Sequence, residues 1–202
     1  MENKYSELYL KSFEELIGVE IGYADIKADK GKETYDGIRR DLWGHVTPEI
    51  WKVIDKMRKL GKVQHGSHFP ELNRFVSEFY HKYFWKSNCL DDLPAEIAPE
   101  LFDIAVNHGS GFAGETIQRA VNMLNNSQKR WKDIIVDGII GNYTVAAVKA
   151  SSNYEKEMFV IIKIIKGNHY VTLLEKDKTQ ELFAIGWIRR VRFYETKKRK
   201  KK

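Results

Sequence analysis

Glu20-Ile21-Gly22-Tyr23-Ala24-Asp25-Ile26-Lys27-Ala28-Asp29-Lys30-Gly31-Lys32-Glu33-Thr34-Tyr35-Asp36-Gly37-Ile38 is the stretch on which the fold turns. On its N-terminal side, Tyr9, Phe13, Leu16 and Glu20 recur at i, i+4, i+7 and i+11, so residues 5–20 read as a helix with one stripe. The stripe is apolar at three members and acidic at the fourth. From Gly22 to Gly37 the helical period fails, and Gly, Asp, Lys and Thr mark a loop or short hairpin. An acid therefore closes a helix, eight residues intervene before Asp29, and a Gly turn leads on to Thr34.

These residue types in this order suit glycoside cleavage. That reaction needs one carboxyl that keeps its proton to donate to the leaving oxygen. A second must stay ionised to activate water or stabilise the oxocarbenium ion. Their surroundings must push the two pKa values apart. A Glu on an apolar stripe is desolvated, which favours its neutral form, whereas an Asp in a polar loop stays charged. A hydroxyl such as that of Thr34 can hold the attacking water. Read as structure alone, the same residues are a helix end and a polar hairpin.

Further along, Thr47-Pro48-Glu49 starts a helix, with Thr as N-cap and Pro in the first position, running to about Leu60. A Gly- and His-rich loop covers Gly61–Phe69, and Pro70–Trp85 is an aromatic helix. After a break at Asn88–Leu93, helices are expected over Pro94–His108 and Ala113–Leu124. Asp137-Gly138 and Gly141 mark a tight turn before a short helix at Thr144–Ala150. Met158–Ile165 is β-branched, but its neighbours read as helical, and a helix is expected there too. Gln180–Tyr194 reads as a terminal amphipathic helix with Leu182, Ile185, Ile188 and Val191 on one face.

Several other chemistries are excluded. Gly109-Ser110-Gly111-Phe112-Ala113-Gly114 spells a dinucleotide fingerprint, but a helix rather than a strand precedes it, so it reads as a helix-to-helix turn. His65 and His68 flank Gly66 without a Cys or carboxylate cluster, which argues against metal; no cofactor is implied. The single cysteine, Cys89, has no nucleophile motif and reads as structural. Lys plus Arg number 34 and Asp plus Glu 28, but Lys197–Lys202 are all basic, and without them the charges balance. The charge thus describes a solvated tail, not a nucleic-acid-binding face. No stretch has the length of a membrane span, and the N-terminal residues lack the layout of a secretory signal.

The residues around Glu20 resemble the N-acetylmuramidases of glycoside hydrolase family 108, whose signature runs from an amphipathic helix into Glu-Gly-Gly-Tyr and a Gly- and Asp-rich loop. Glu20, Gly22, Tyr23, Asp29, Gly31, Thr34, Gly37 and Ile38 stand at matching places; Ile21, Ile26-Lys27 and Lys32 depart from the pattern. Tyr83–Trp85 and Ile97-Ala98, Leu101-Phe102-Asp103, Asn107 and Gly109 continue the likeness. So do Asp137-Gly138, Gly141, Thr144 and the terminal Gly186-Trp187, Arg189-Arg190.

The resemblance implies a mainly α, lysozyme-like fold with a short loop or hairpin after the first helix. Residues 1–90 would form the muramidase region, 91–196 a helical peptidoglycan-binding-like region completing the cleft, and 197–202 a basic disordered tail. It implies cleavage of the β-1,4 bond between N-acetylmuramic acid and N-acetylglucosamine, with Glu20 as general acid, Asp29 as second carboxylate and Thr34 positioning water. Tyr23 and Tyr35 would stack on sugars; Asn107 and Gln118 would line the cleft or brace it. The partner is the peptidoglycan glycan strand. The enzyme would be made in the cytoplasm without a signal peptide. It would reach the wall through a holin in phage-type lysis, or with a secretion system whose substrate needs an opening. A non-catalytic peptidoglycan-binding secretion accessory is the alternative, and the tail is a candidate contact for anionic polymers.

Overall fold

The computed structural model describes residues 4–18, 22–25 and 33–191. The chain divides into two compact units, Met1–Ser87 and Asn88–Lys202.

The first unit opens with α1 (Glu7–Ile17). Ser6 caps it, its hydroxyl accepting from the Tyr9 amide, which satisfies one of the otherwise orphaned N-terminal donors. Tyr9 and Leu16 are buried, as the stripe requires. The described part of α1 ends three residues before Glu20, so Glu20 and Asp29 lie outside the described residues. A three-stranded antiparallel sheet follows in the order β1 (Tyr23–Asp25), β2 (Glu33–Tyr35), β3 (Ile38–Arg39). Tyr35 pairs with Ile38, so Asp36-Gly37 is a two-residue turn. Both have positive φ, 45° and 76°. That is the primed geometry whose twist matches flanking strands, and glycine tolerates it best.

Then come α2 (Arg40–Trp43), α3 (Pro48–Lys59) and α4 (Asn73–Tyr80), the last running on through a π-helical turn at His81–Trp85. Thr47 holds the N-cap position of α3 as expected, but its side chain makes no capping bond. Its hydroxyl donates to the Trp43 carbonyl and accepts from the Trp51 indole. The core here is aromatic: Tyr9, Phe79, Tyr80 and Trp85 are buried with Ile50, Ile54 and Val76.

The second unit is helical: α5 (Ile97–His108), α6 (Ser110–Met123), α7 (Asn142–Ala150), α8 (Glu155–Lys176) and α9 (Ala184–Arg190). The Gly-rich stretch is a helix-to-helix turn, but only Gly109, at φ 90°, makes it. Gly111 and Gly114 belong to α6, which therefore starts three residues earlier than expected. Gly114 instead permits close packing, since a Cβ there would collide with the Gly138 carbonyl. Met158–Ile165 is helical despite its β-branched residues. Met158, Ile162, Ile165, Lys166 and Tyr170 form a buried stripe at helical spacing, so tertiary burial overrides strand propensity.

The expected terminal helix is corrected in two respects. Among its described residues, Lys178–Phe183 is 3₁₀ and Ala184–Arg190 α-helical; residues 192–194 of the expected helix lie outside the described residues. Of its expected apolar face, Leu182, Ile185 and Ile188 are exposed and Val191 alone is buried. The segment docks on α8 through Trp187, which stacks on Tyr170, and through Val191 of the expected face, which meets Gly167. Buried charges reinforce this. Lys163 and Lys166 pair with Glu100, while Lys166 and Arg190 pair with Asp103. Burial opposes charge on Lys166, but the pairs with Asp103 and Glu100 outweigh it and hold its pKa above the ordinary value.

Candidate active site

The described residues around the predicted catalytic stretch form a firmly tied frame. Gly22 lies two residues beyond Glu20. Its amide donates to the Asp36 carboxylate at 2.6 Å, and its carbonyl accepts from the Asp36 amide at 3.1 Å. The turn before β3 is thus clamped to the chain entering β1. Asp36 is buried, and burial raises its pKa, while the Gly22 amide works in the opposite direction. The Tyr80 hydroxyl donates to the Asp36 carbonyl, anchoring the turn on α4.

Gly22 is required on two counts. Its φ is 85°, and a Cβ would come 2.8 Å from the Gly66 and Ser67 carbonyl oxygens. That close approach lets β1 bond the Gly/His-rich loop, Tyr23 N to Ser67 O at 2.8 Å and Gly66 N to Tyr23 O at 2.7 Å.

β1 and β2 flank the segment that contains Asp29. At their open end Asp25 stands opposite Glu33, a repulsive pairing. Two arginines offset it. Glu33 accepts from Arg58 and, at 3.1 Å, from Arg40; Asp55 accepts from both nitrogens of a forked Arg40 at 2.8 and 2.6 Å. Hydrogen bonding from Arg40 keeps the Asp55 carboxyl below its usual range. Sequence reasoning misses Asp36, Glu33, Arg40, Asp55 and Arg58. The Asp-Gly pair at 36–37 is the one local signal, because the arginines reach their partners only through the fold.

Of the predicted site residues, Thr34 lies in mid-β2, opposite Ala24 and Arg39, half-buried. Strand alternation puts it on the face opposite Glu33 and Tyr35. The two tyrosines, expected to stack on sugars, are buried. Tyr35 is fully buried, its ring stacked against His68 and Phe69 and its hydroxyl bonded to the Phe69 amide at 2.8 Å. Tyr23 is 6% exposed, with the Arg58 guanidinium over its ring and donating to its hydroxyl at 2.9 Å.

In the second unit, Asn107 is exposed and donates to the Asp103 carbonyl one turn back. Gln118 is 1% exposed and lines no open surface; it braces the Asp137–Thr144 segment through Asp137, Gly138, Ile139 and Thr144. No group of three His, Cys, Asp or Glu suited to a metal occurs among the described residues. A pocket of about 220 Å³, walled by Val46, Glu49, Ile50, Phe75, Phe79 and Tyr83, contains none of the predicted site residues.

Residues 13–109 match the family model Glycosyl hydrolase 108, and residues 113–192 match Predicted Peptidoglycan domain. No curated protein sequence matches the chain. Among solved structures, Brucella abortus SagA is similar at 24% identity and a TM-score of 0.58, covering 91% of this chain and 88% of that one. That likeness shows the fold: mainly α, with a short hairpin after the first helix. Residues 13–109 are thus similar to glycosyl hydrolase 108 and residues 113–192 to a predicted peptidoglycan domain, and the chain is a peptidoglycan-acting hydrolase.

Proposed function

We propose that the protein is an N-acetylmuramidase cleaving the β-1,4 bond between N-acetylmuramic acid and N-acetylglucosamine. Glu20 gives its proton to the glycosidic oxygen as the bond to the anomeric carbon breaks. Asp29, ionised, supports the positive charge that develops on the sugar or takes the proton of the incoming water, and Thr34 positions that water. The single observation that carries this reading is the clamp between Gly22 and Asp36. It fixes the backbone two residues from Glu20 to the turn two residues from Thr34, inside the stretch that matches the hydrolase family. The clamp thus ties together the described residues that flank the two proposed groups in sequence, and pre-organised chemistry requires such a frame.

The glycan strand is the substrate. The protein acts at the wall after release through a holin or export beside a secretion system. Glu20→Gln tests the assignment. A general acid contributes about 10²–10⁴-fold. Clearing of a peptidoglycan suspension is expected to fall by about 10²-fold or more, with the melting curve retained. Undiminished clearing would remove Glu20 from the mechanism. Cosedimentation with cell walls and no release of reducing ends by the unmodified protein would replace hydrolysis with binding alone.

A further inference from the structure

The 3₁₀ segment Lys178–Phe183 runs directly into α9, and one side of this helical path is fixed within the second unit. Trp187 stacks on Tyr170, and Val191 lies against Gly167. The Lys166 ammonium donates to the Arg190 carbonyl at 3.2 Å, and the Arg190 guanidinium donates to Asp103 at 2.9 Å. At about 100° per residue, Ile185 and Arg189 each lie roughly 160° around the helix from Trp187. Leu182, three residues before Ile185, falls in line with it, as side chains at that spacing do in a 3₁₀ turn. Leu182, Ile185 and Arg189 therefore share the side turned away from α8.

The exposures agree with that geometry. Leu182 is 84% exposed, Ile185 68% and Arg189 exposed, while Ile188, at 48%, flanks them. Apolar side chains exposed singly need no explanation. Two large aliphatic groups on the outward side of a firmly docked helix, with a third at its flank, form a patch that burial inside the unit does not account for.

Charge indicates the occupant. The acids of the segment are engaged: Asp177 accepts from the Thr179 amide, and Glu181 pairs with Lys178. Residues 189–202 hold nine Lys or Arg and one acid, Glu195, and of these Arg190 turns inward to Asp103. Aliphatic groups beside a run of cations select one kind of partner. A nucleic acid offers phosphates but no aliphatic layer. A second copy would cover the aliphatic groups but bring two cationic runs together. An anionic bilayer offers both, acyl chains beneath phosphate headgroups, and basic amphipathic helices lie in that interface.

We propose that Leu182, Ile185 and Ile188 seat this helical segment in an anionic lipid surface, with Arg189 and Lys197–Lys202 meeting lipid phosphates. This goes beyond the muramidase reading and does not depend on Glu20. A hydrolase held in this way works on glycan next to the membrane.

The test is sedimentation of the full-length protein with vesicles of equal parts phosphatidylglycerol and phosphatidylcholine, and with vesicles of phosphatidylcholine alone. The unmodified protein is expected to bind the anionic vesicles about tenfold or more tighter. Leu182→Ser with Ile185→Ser is expected to weaken that binding by about tenfold or more, with melting unchanged because both side chains are exposed. Ile185→Ser alone serves if the pair melts early. Deleting Lys197–Lys202 is expected to weaken binding most at low salt. Equal binding to both kinds of vesicle, or binding to neither, would overturn the proposal. So would anionic-vesicle binding that L182S/I185S keeps and only the deletion loses, since the cations would then act without the apolar side. So would a dimer in solution that L182S/I185S splits, since a second copy would then cover the patch. Vesicle binding does not involve Glu20, so failure here and failure of the muramidase reading are read separately.

Discussion

The Asp36 carboxylate accepts the Gly22 amide at 2.6 Å inside the fold, so its removal leaves a buried N–H without an acceptor. Asp36→Ala is expected to cost about 1–3 kcal/mol, read as a lower melting temperature, and to slow peptidoglycan clearing by loosening the frame beside Glu20. His108 gives a pH prediction. Burial, aided by His169, Lys166 and Arg190 and opposed by Asp103, lowers its pKa from 6.5 to about 4. The folded state therefore holds His108 neutral, while the unfolded chain takes up a proton below 6.5. This contribution is present above pH 6.5 and is lost as pH falls towards 4. Melting of the unmodified protein should fall over that interval, and His108→Leu should flatten the fall. An identical pH dependence in the variant would show that His108 is not the group responsible. Neither residue stands out in the sequence. Asp36 shows there only as half of an Asp-Gly turn pair, and His108 as a helix-terminal histidine, because their burial comes from segments far away in the chain.

At the scale of elements, the hairpin and most helices are legible because their signals are local. Pro48 starts α3, and the Tyr9, Phe13 and Leu16 stripe runs along α1. Gly109 separates α5 from α6 through its own backbone preference. Signals that depend on a partner mislead. The apolar positions of the terminal segment suggest a helix docked through Leu182, Ile185, Ile188 and Val191, of which only Val191 is buried. Trp187 joins Val191 in the docking in place of the other three, with Arg190 reaching Asp103. Gly114 reads as part of a turn, yet its meaning is the close passage of Gly138. Gly114→Ala should therefore destabilise the second unit by about 1–3 kcal/mol or more, read by thermal or denaturant melting; a neutral result would refute that close packing. Lys166→Ala would leave Glu100 and Asp103 short of a buried cation, at a cost of about 3 kcal/mol.

For the whole molecule, the order of motifs along the chain carries the resemblance, and the two consecutive family matches cover the same ground. The scaffold around the proposed site is not legible in the sequence. Tyr23 and Tyr35 read as sugar platforms because aromatic residues in a polar loop look available. Packing against Arg58, His68 and Phe69 removes both from the surface. The charge balance makes the protein's positive excess a property of Lys197–Lys202. Deleting them should leave hydrolysis of soluble glycan fragments intact and weaken binding to polyanions most at low salt; unchanged polyanion binding would place the basic contact elsewhere. The central claim, cleavage on the muramic acid side, is tested most directly by digesting purified sacculi, reducing the products with borohydride and identifying the terminal sugar alcohol. The account predicts muramitol ends that accumulate with time and are absent with Glu20→Gln. Glucosaminitol ends, or no new reducing ends at all, would contradict it.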